Sequence, residues 1–153
     1  MPEIKVVSFR VGEEVYAVDI MKIDSISEMM KTMKLPGLPS FMIGVANLRG
    51  EVIPIIDTRV KFMLEKKGDH SQDRIVVVFM DDKKIGILVD EVKEVLTLDQ
   101  DQLEEPPKTG GKRSSGFISA IAKLEDRMLM IIDIDKVLTT EELIKIDGLV
   151  ENL

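Results

Sequence analysis

The feature that most constrains the fold of this chain is a repeated order of short apolar segments, each bounded by turn residues. One hairpin is followed by Ala17–Lys22, and a later hairpin is followed by the similar segment Leu88–Lys93. The strand-like segment Val52–Asp57 then has a counterpart in Met128–Asp133. Short strands that recur at such spacing are typical of small barrels and sandwiches. We infer two similar β units whose apolar faces pack together.

Alternating and β-branched segments, joined by short polar turns, predict four hairpins. Their arms are Ile4–Val11 with Val15–Val18, Val45–Leu48 with Glu51–Ile56, Ile75–Met80 with Lys84–Val89, and Phe117–Leu124 with Arg127–Ile132. Val92–Leu98 predicts one further strand. Lys66–Asp73 is polar throughout and is interpreted as an internal linker between the two halves.

Helical signals are fewer and shorter. Met21–Met33 fits both a helix and an extended strand, and the sequence leaves these alternatives open. Ser40 predicts a cap for one helical turn that Gly44 ends. Near the end of the chain, Thr139 and Glu142 form a capping-box pattern that predicts a C-terminal helix.

Composition narrows the classes of function. The formal net charge is −7, and five Phe, one Tyr and no Trp leave few rings for base stacking, so nucleic acid is a poor candidate partner. The chain has no Cys, which excludes disulfides, thiolate metal sites and a thiol nucleophile. No apolar run approaches the roughly 18 residues that a membrane helix needs, and the first residues do not resemble a signal peptide. We expect a cytoplasmic protein.

Four aspartates, Asp19, Asp57, Asp90 and Asp133, each follow an apolar strand. Carboxylates in such places can hold a divalent metal or exchange protons. An aspartate after a strand more commonly accepts hydrogen bonds from the free N–H groups of the next helical turn. We therefore interpret all four as caps.

Other candidate catalytic features are incomplete. His70 is the only histidine, and it lies in the polar linker without a nearby Cys or a second His, so we expect a solvated linker residue. Gly110–Gly116 suggests a phosphate loop, but Pro106 and Arg113 occupy positions where that motif requires Gly and Ser or Thr. We expect no catalytic residue, no metal and no cofactor.

Two features point to binding instead. Met29, Met30, Met33 and Met42 lie close together, and such flexible side chains can line an adaptable binding surface or fill a core. Arg49 lies at the predicted bend of the second hairpin, where its guanidinium can meet a carboxylate in bidentate geometry. A solvated arginine in a turn is the alternative.

The segment Gly44–Asp57, with the sequence GVANLRGEVIPIID, resembles the signature of the CheW-like family. Val18–Ile23, Gly86–Asp90 and Asp126–Leu129 are similar to further family positions in the same order, so nearly the whole chain is covered. The resemblance implies an all-β fold of two small five-stranded barrels of the SH3 or OB kind. These share an apolar core, with short helices that include one at the C-terminus. It also implies one CheW-like domain over 1–153, with approximate subdomains 1–68 and 69–153 and strand exchange between them.

The function implied by this resemblance is that of a non-enzymatic chemotaxis adaptor. Its partners would be the regulatory domain of the histidine kinase CheA and the cytoplasmic tip of methyl-accepting chemoreceptors, to whose arrays it would be recruited. The implied kinase-facing residues are Ile23, Ile26 and Arg49, and the implied receptor-facing residues are Val76, Val92 and Val95. Ser25 stands where the family often has Glu, which puts a charge-based contact there in doubt.

Two other classes of function compete with the adaptor. Small β barrels also bind oligonucleotides, but the negative charge and scarce aromatics weigh against that reading. A small carboxylate-dependent hydrolase would need a cluster of perturbed groups in a cleft, and no sequence constellation points to one.

Overall fold

A computed structural model describes residues 2–106 and 116–151 of the chain. Gly110–Ser115 of the phosphate-loop comparison lie outside the described residues. The strands are β1 (Glu3–Val11), β2 (Glu14–Asp19), β3 (Ile23–Glu28), β4 (Met42–Leu48), β5 (Glu51–Asp57), β6 (Arg74–Met80), β7 (Lys83–Val89), β8 (Glu91–Asp99), β9 (Leu103–Glu104), β10 (Ile118–Lys123) and β11 (Met128–Ile132). The helices are α1 (Thr58–Lys61) and α2 (Thr140–Glu151).

The strands form two sheets that share one plan. One sheet has the order β8-β1-β2-β11-β10-β9, and the other has the order β3-β6-β7-β5-β4. In each sheet the central strands make one parallel pair, β2 with β11 and β5 with β7, and the remaining neighbours are antiparallel. The first five strands of the six-stranded sheet therefore correspond in order to the five strands of the other. This confirms the predicted mostly β fold of two similar units.

The two sheets exchange one strand each along the chain. β3 follows β2 in sequence but pairs with β6, and β8 follows β7 but pairs with β1. Each unit is thus completed by an edge strand that continues directly from a strand of the other unit. The division into subdomains 1–68 and 69–153 stays a sequence-based prediction.

Three apolar clusters fill the fold. One lies within the six-stranded sheet and includes Val6, Ala17 and Leu129, and a second lies within the five-stranded sheet and includes Ile55 and Leu88. The largest draws residues from both sheets and from the C-terminal segment, among them Phe9, Tyr16, Val76, Ile87, Ile132 and Ile146. Burial of this apolar surface joins the two units, as the predicted shared core requires.

Aromatic rings link the sheets to the connections between them. Tyr16 of β2 lies 4.8 Å from Phe62, which follows α1, and Phe62 stacks on Phe117 at 4.5 Å between ring centroids. Aromatic pairs at these separations add to the stabilisation that comes from burial alone. They fix α1 and the start of β10 against the shared core.

The predicted helical turn after Ser40 is wrong. The chain makes only a hydrogen-bonded turn there, from Met42 N–H to the Pro39 carbonyl at 3.0 Å, and β4 begins at Met42. Gly44 lies beside a bulge in β4 at which Ile43 is the extra residue, and its φ is 155°. A Cβ at this position would lie 2.5 Å from the Met33 carbonyl oxygen, so the close approach requires glycine.

That close approach brings the chain after β3 alongside β4. The N–H groups of Met33 and Val45 each donate to the carbonyl of the other, at 2.8 and 2.9 Å. The bridge joins the segment after edge strand β3 to β4, the strand at the opposite edge of the five-stranded sheet, which gives this unit its barrel-like form. Val45 pairs with Pro54 on its other side, as expected for the predicted second hairpin.

The remaining ambiguous segments are resolved in the structure. Met21 lies in a short 3-10 turn, Ile20–Lys22, and the following residues form strand β3. The capping box before α2 is confirmed, because Thr139 N–H donates to Glu142 at 2.8 Å and Glu142 N–H donates to Thr139 Oγ1 at 3.1 Å. Of the helices in the described part of the chain, none is long and apolar enough to cross a membrane.

Candidate functional site

A groove lies where the edge strands of the two units approach each other. It has a volume of about 320 Å³ and is lined by Ile26, Gln72, Arg74, Asp90, Glu91 and Val92. We call it the inter-sheet groove. Ile26 comes from β3 and Val92 from β8, so the two exchanged strands supply its apolar side chains.

A bulge in β8 turns two of the predicted receptor-facing residues to the same side. Val92 lies opposite Phe9 and Val95 lies opposite Val7, with Lys93 as the extra residue between them. Residues three apart in a regular strand face opposite sides, whereas a bulge changes that alternation. Val92 packs against the shared core, and Val95 is 59% exposed.

A bulge in β3 likewise places two of the predicted kinase-facing residues on the same side of the strand. Ile23 lies opposite Val78 and Ile26 lies opposite Val76, with Asp24 at the irregularity. Ile23 packs against the shared core, whereas Ile26 is 43% exposed. Val76, a predicted receptor-facing residue, is fully buried beneath this strand pair. Its side chain therefore supports the wall of the groove from inside the core.

Arg49 occupies the tight bend between β4 and β5. Arg49 has φ 51° and Gly50 has φ 89°, and Gly50 N–H donates to the Asn47 side chain at 2.9 Å. Two consecutive residues with positive φ are typical of the hairpin turn whose twist matches the flanking strands. Arg49 is exposed, and it takes part in none of the ion pairs among residues 2–106 and 116–151.

An apolar groove lies on the same hairpin as Arg49. It has a volume of about 550 Å³ and is lined by Met30, Lys31, Thr32, Met33, Val45, Ala46, Asn47 and Val52. We call it the methionine groove. The methionines divide between core and surface, because Met29 and Met30 pack against the core of the five-stranded unit while Met33 is 54% exposed.

The structure therefore groups the predicted site residues differently from the sequence. Ile26 shares the inter-sheet groove with Val92, although the two were assigned to different partners. Arg49 lies at the hairpin of the methionine groove, and neither Ile23 nor Ile26 lines that groove. The predicted site residues thus fall on two separate surfaces, each of which has exposed apolar side chains.

Three of the four aspartates that follow strands are caps, as predicted. Asp19 accepts from Met21 N–H at 2.9 Å, Asp57 accepts from Arg59 N–H at 3.0 Å, and Asp133 accepts from Asp135 N–H at 3.1 Å. Each satisfies a free donor at the start of a helical turn. This role requires no metal and no proton transfer.

Asp90 is different, and its interpretation as a cap is wrong. Its side chain is 4% exposed, and it accepts from Gly12 N–H at 2.7 Å, from Arg59 Nη2 at 2.5 Å and from Lys67 Nζ at 2.9 Å. Arg10 Nη1 lies 3.4 Å away. Burial alone would raise the pKa of Asp90, but the hydrogen bonds from Arg59, Lys67 and Gly12 outweigh it and lower that pKa to about 2.

The cluster around Asp90 also fixes the segment interpreted as a solvated linker. Lys67 Nζ donates to Asp73 Oδ1 at 2.5 Å as well as to Asp90, and the Asp73 side chain is 3% exposed. His70 Nδ1 lies 2.8 Å from Asp73 Oδ2, and its ring is 19% exposed. The expectation of a solvated His70 is therefore wrong, because the imidazole ring contacts the nearly buried carboxylate of Asp73. Within the described ranges, no group of three or more His, Asp or Glu residues is arranged to hold a metal ion.

Comparison with known proteins identifies the family. The CheW-like domain matches residues 5–142 of the chain. The chain belongs to the CheW-like family. This confirms the resemblance carried by the Asn47–Gly50 segment.

CheW-like relatives match along most of the chain. The chemotaxis protein CheW of Klebsiella aerogenes is 32% identical over 144 residues, which cover 94% of this chain and 87% of that protein. The chemotaxis protein CheW of Bacillus subtilis is 34% identical over 137 residues, covering 90% and 88%. The crystal structure of the scaffolding protein TtCheW from Thermoanaerobacter tengcongensis aligns with a TM-score of 0.83 at 34% identity, covering 93% of this chain and 96% of that one. The CheW-like sequence and fold support a chemotaxis scaffold protein.

Proposed function

We propose that this protein is a non-enzymatic adaptor that couples the histidine kinase CheA to the cytoplasmic tip of methyl-accepting chemoreceptors. The observation that carries the proposal is the presence of two separate surfaces with exposed apolar side chains on one β framework. A scaffold that joins two proteins needs two surfaces that can be occupied at the same time. The CheW-like relatives supply the signalling context.

The inter-sheet groove is the proposed receptor-facing surface. Val92 and Val95 project from one face of an edge strand, and Val95 is 59% exposed. Exposed apolar side chains beside charged groups such as Arg74 and Glu91 match the usual anatomy of an interface, with an apolar centre and a polar rim. Val76 supports this surface through its pairing with Ile26.

The Arg49 hairpin and the methionine groove are the proposed kinase-facing surface. The backbone of Arg49 lies in the left-handed region that Gly, Asn or Asp usually occupies in such turns. A larger residue at a position of this kind points to a role outside folding. The guanidinium of Arg49 projects from a tight turn, where it can bind a carboxylate. The exposed side chains of Met33 and Val52 provide an apolar contact surface that can adapt to a partner. The kinase assignment of Ile23 and Ile26 stays a prediction from the family resemblance, because neither lines the methionine groove and Ile26 lines the inter-sheet groove.

Variants on the two surfaces test the proposal by their opposite effects. Val92→Asp or Val95→Asp should weaken binding of a receptor cytoplasmic fragment by about 1–3 kcal/mol, because a poorly compensated charge enters an apolar contact. Affinity for the CheA regulatory domain should stay at the parental value. Calorimetric titration of each variant with each partner gives the four affinities.

Arg49→Ala should show the reverse pattern. Kinase affinity should fall by about 1.5–3 kcal/mol, the range for hydrogen bonds to charged groups, and Arg49→Lys should restore it only in part because lysine lacks the planar fork. The melting temperature should stay nearly parental, since exposed substitutions usually change stability by about 0.5 kcal/mol or less. Arg127→Ala is the matched control, because Arg127 lies just before β11 in the other unit and is paired with Glu94 at 3.0 Å.

The outcomes separate the possibilities cleanly. Parental kinase affinity in Arg49→Ala would place the kinase contact elsewhere, and an equal loss in Arg127→Ala would reduce the effect to general electrostatics. A large fall in melting temperature would make Arg49 a structural residue.

The absence of enzymatic activity is a further part of the proposal. Incubation with labelled ATP should leave no stoichiometric label on the chain and release no phosphate above background. Retained label or steady hydrolysis would contradict the adaptor function. We also propose that the protein acts in the cytoplasm and is recruited to receptor arrays by these contacts.

A further inference from the structure

The buried carboxylate of Asp90 joins parts of the chain that are far apart in sequence. Asp90 is the single residue between β7 of one sheet and β8 of the other. From the six-stranded sheet, Gly12 N–H donates to its side chain, and its own N–H donates to the Arg10 carbonyl at 2.9 Å. Arg59 binds it with both Nε and Nη2, at 3.3 and 2.5 Å. The position of this junction is therefore fixed from several directions.

Lys67 extends the same cluster to the segment before β6. Its ammonium bridges Asp90 and Asp73, at 2.9 and 2.5 Å. Asp73 directly precedes Arg74, and the Arg74 guanidinium in turn donates to the Gln72 and Asp73 carbonyls at 3.1 and 3.3 Å. Lys67 thus connects the start of β8 to the start of β6 through two nearly buried carboxylates.

These two strand starts form facing parts of the inter-sheet groove. Gln72 and Arg74 line it beside Ile26, while Asp90 and Glu91 line it beside Val92. Lys67 is absent from the lining and is 28% exposed on its own side chain. It can therefore affect the groove only through the residues that it holds.

We propose that the Asp73–Lys67–Asp90 bridge is a clamp that sets the spacing between the β3–β6 side and the β8 side of the inter-sheet groove, with Lys67 as its positioning residue. The inference rests on the proposed function where it concerns the receptor, but the clamp itself is a property of the free protein. Charge-assisted hydrogen bonds in a largely water-excluded place are strong and directional, so they hold geometry better than apolar packing alone. A groove held at a fixed width lowers the ordering cost of binding.

The clamp can be measured without any partner. Because the chain has no Cys, spin labels at Glu28→Cys and Lys93→Cys report one distance across the groove. The parent should give a narrow distance distribution. Lys67→Met should broaden it or move its mean by about 2 Å, the scale of a local rearrangement. Lys67→Arg, which keeps the charge, should stay close to the parent.

Receptor affinity is the second measurement. Lys67→Met should weaken binding of a receptor cytoplasmic fragment by about five- to tenfold, at the lower end of couplings between separate positions. The matched control is Lys66→Met, which makes the same change of charge at an exposed neighbour outside the cluster. Lys67→Met combined with Asp73→Asn also removes the nearly buried carboxylate that would lose its lysine partner, so it keeps the experiment informative if the single variant folds poorly.

The results distinguish the clamp from the proposed function. A broadened distance together with weakened receptor binding, both absent in Lys66→Met, supports the inference. An unchanged distance distribution in the folded single and double variants overturns the clamp, whatever the affinity does. A widened groove with parental receptor affinity overturns the link between clamp and binding. If Val92→Asp then also binds like the parent, the assignment of the groove to the receptor fails independently.

Discussion

Asp19 and Asp90 occupy corresponding places in the two β units, at the end of or just after strands β2 and β7. Asp19 is exposed and caps a short 3-10 turn through one hydrogen bond to Met21 N–H. Asp90 is nearly buried and binds Arg59, Lys67 and the Gly12 N–H. The backbone plan is the same, so the difference comes from the groups that other segments bring to each place. The repeated fold places a carboxylate at the same position in each unit. The residues around that position determine whether the carboxylate caps a turn or joins a cluster of ion pairs.

The largest expected effect contrasts these two aspartates directly. Asp90→Ala should lower the free energy of unfolding by about 2–4 kcal/mol, because it leaves Arg59 and Lys67 without their shared carboxylate in a mostly buried place. Asp19→Ala should cost only about 1 kcal/mol or less, as expected for the loss of one cap. Urea unfolding of both variants measures the difference.

Equal losses of unfolding free energy in Asp90→Ala and Asp19→Ala would contradict this contrast. They would show that the Asp90 cluster stabilises the fold no more than a single cap does. A double variant, Asp90→Ala with Arg59→Met, sharpens the result. It should recover part of the lost stability, since it no longer leaves the Arg59 guanidinium without the carboxylate that it binds.

A second prediction compares the two residues that lie opposite matching isoleucines in the parallel strand pairs of the two units. Gly86 lies opposite Ile55 in the parallel pair of the five-stranded sheet, and Ala17 lies opposite Ile131 in that of the six-stranded sheet. A Cβ at Gly86 would lie 2.7 Å from Ile55 Cδ1 and 2.8 Å from a methyl of Ile75. Gly86→Ala should therefore destabilise the protein by about 1–3 kcal/mol through overpacking.

The matched change in the other unit is Ala17→Gly. It should lower the free energy of unfolding by about 1–2 kcal/mol, because it removes one buried methyl and loosens the backbone. Thermal unfolding of the two variants gives both values. If Gly86→Ala left the stability unchanged, the core of the five-stranded unit would have space for a methyl group that the contact distances do not indicate.

The smallest expected effect is the dependence of stability on pH. The pKa of Asp90 falls from the ordinary value of 3.8 to about 2 in the folded protein. The stabilisation from ionised Asp90 is therefore fully present above about pH 4 and is lost as the pH falls towards 2. At one unit of pKa to 1.36 kcal/mol, the loss amounts to at most about 2 kcal/mol.

Unfolding curves at pH 5, 4, 3 and 2 for the parent and Asp90→Asn isolate this contribution. Asp90→Asn should lose less stability over that range than the parent does. A parental slope in Asp90→Asn would mean that other carboxylates carry the acid sensitivity.

The sequence alone determined the parts of this protein that depend on neighbours along the chain. Alternation of apolar residues gave the hairpins, Thr139 and Glu142 gave the start of α2, and the spacing after strands gave three of the capping aspartates. The Gly44–Asp57 segment, with further segments similar to family positions in the same order, carried the family resemblance that the CheW-like match confirms. Each of these is a local pattern, because a cap, a turn or a strand is satisfied within a few residues.

Only the tertiary structure determined the inter-sheet groove and the contacts that hold it in place. The bulges at Asp24 and Lys93, the close approach at Gly44 and the burial of Asp73 depend on strands and segments distant in sequence. Asp90 carries the same local pattern as Asp19, so no signal in its own segment could predict a pKa of about 2. Its partners approach from β1, α1 and the segment before β6, and hydrogen bonding and charge act through space between atoms that only the packed sheets bring together.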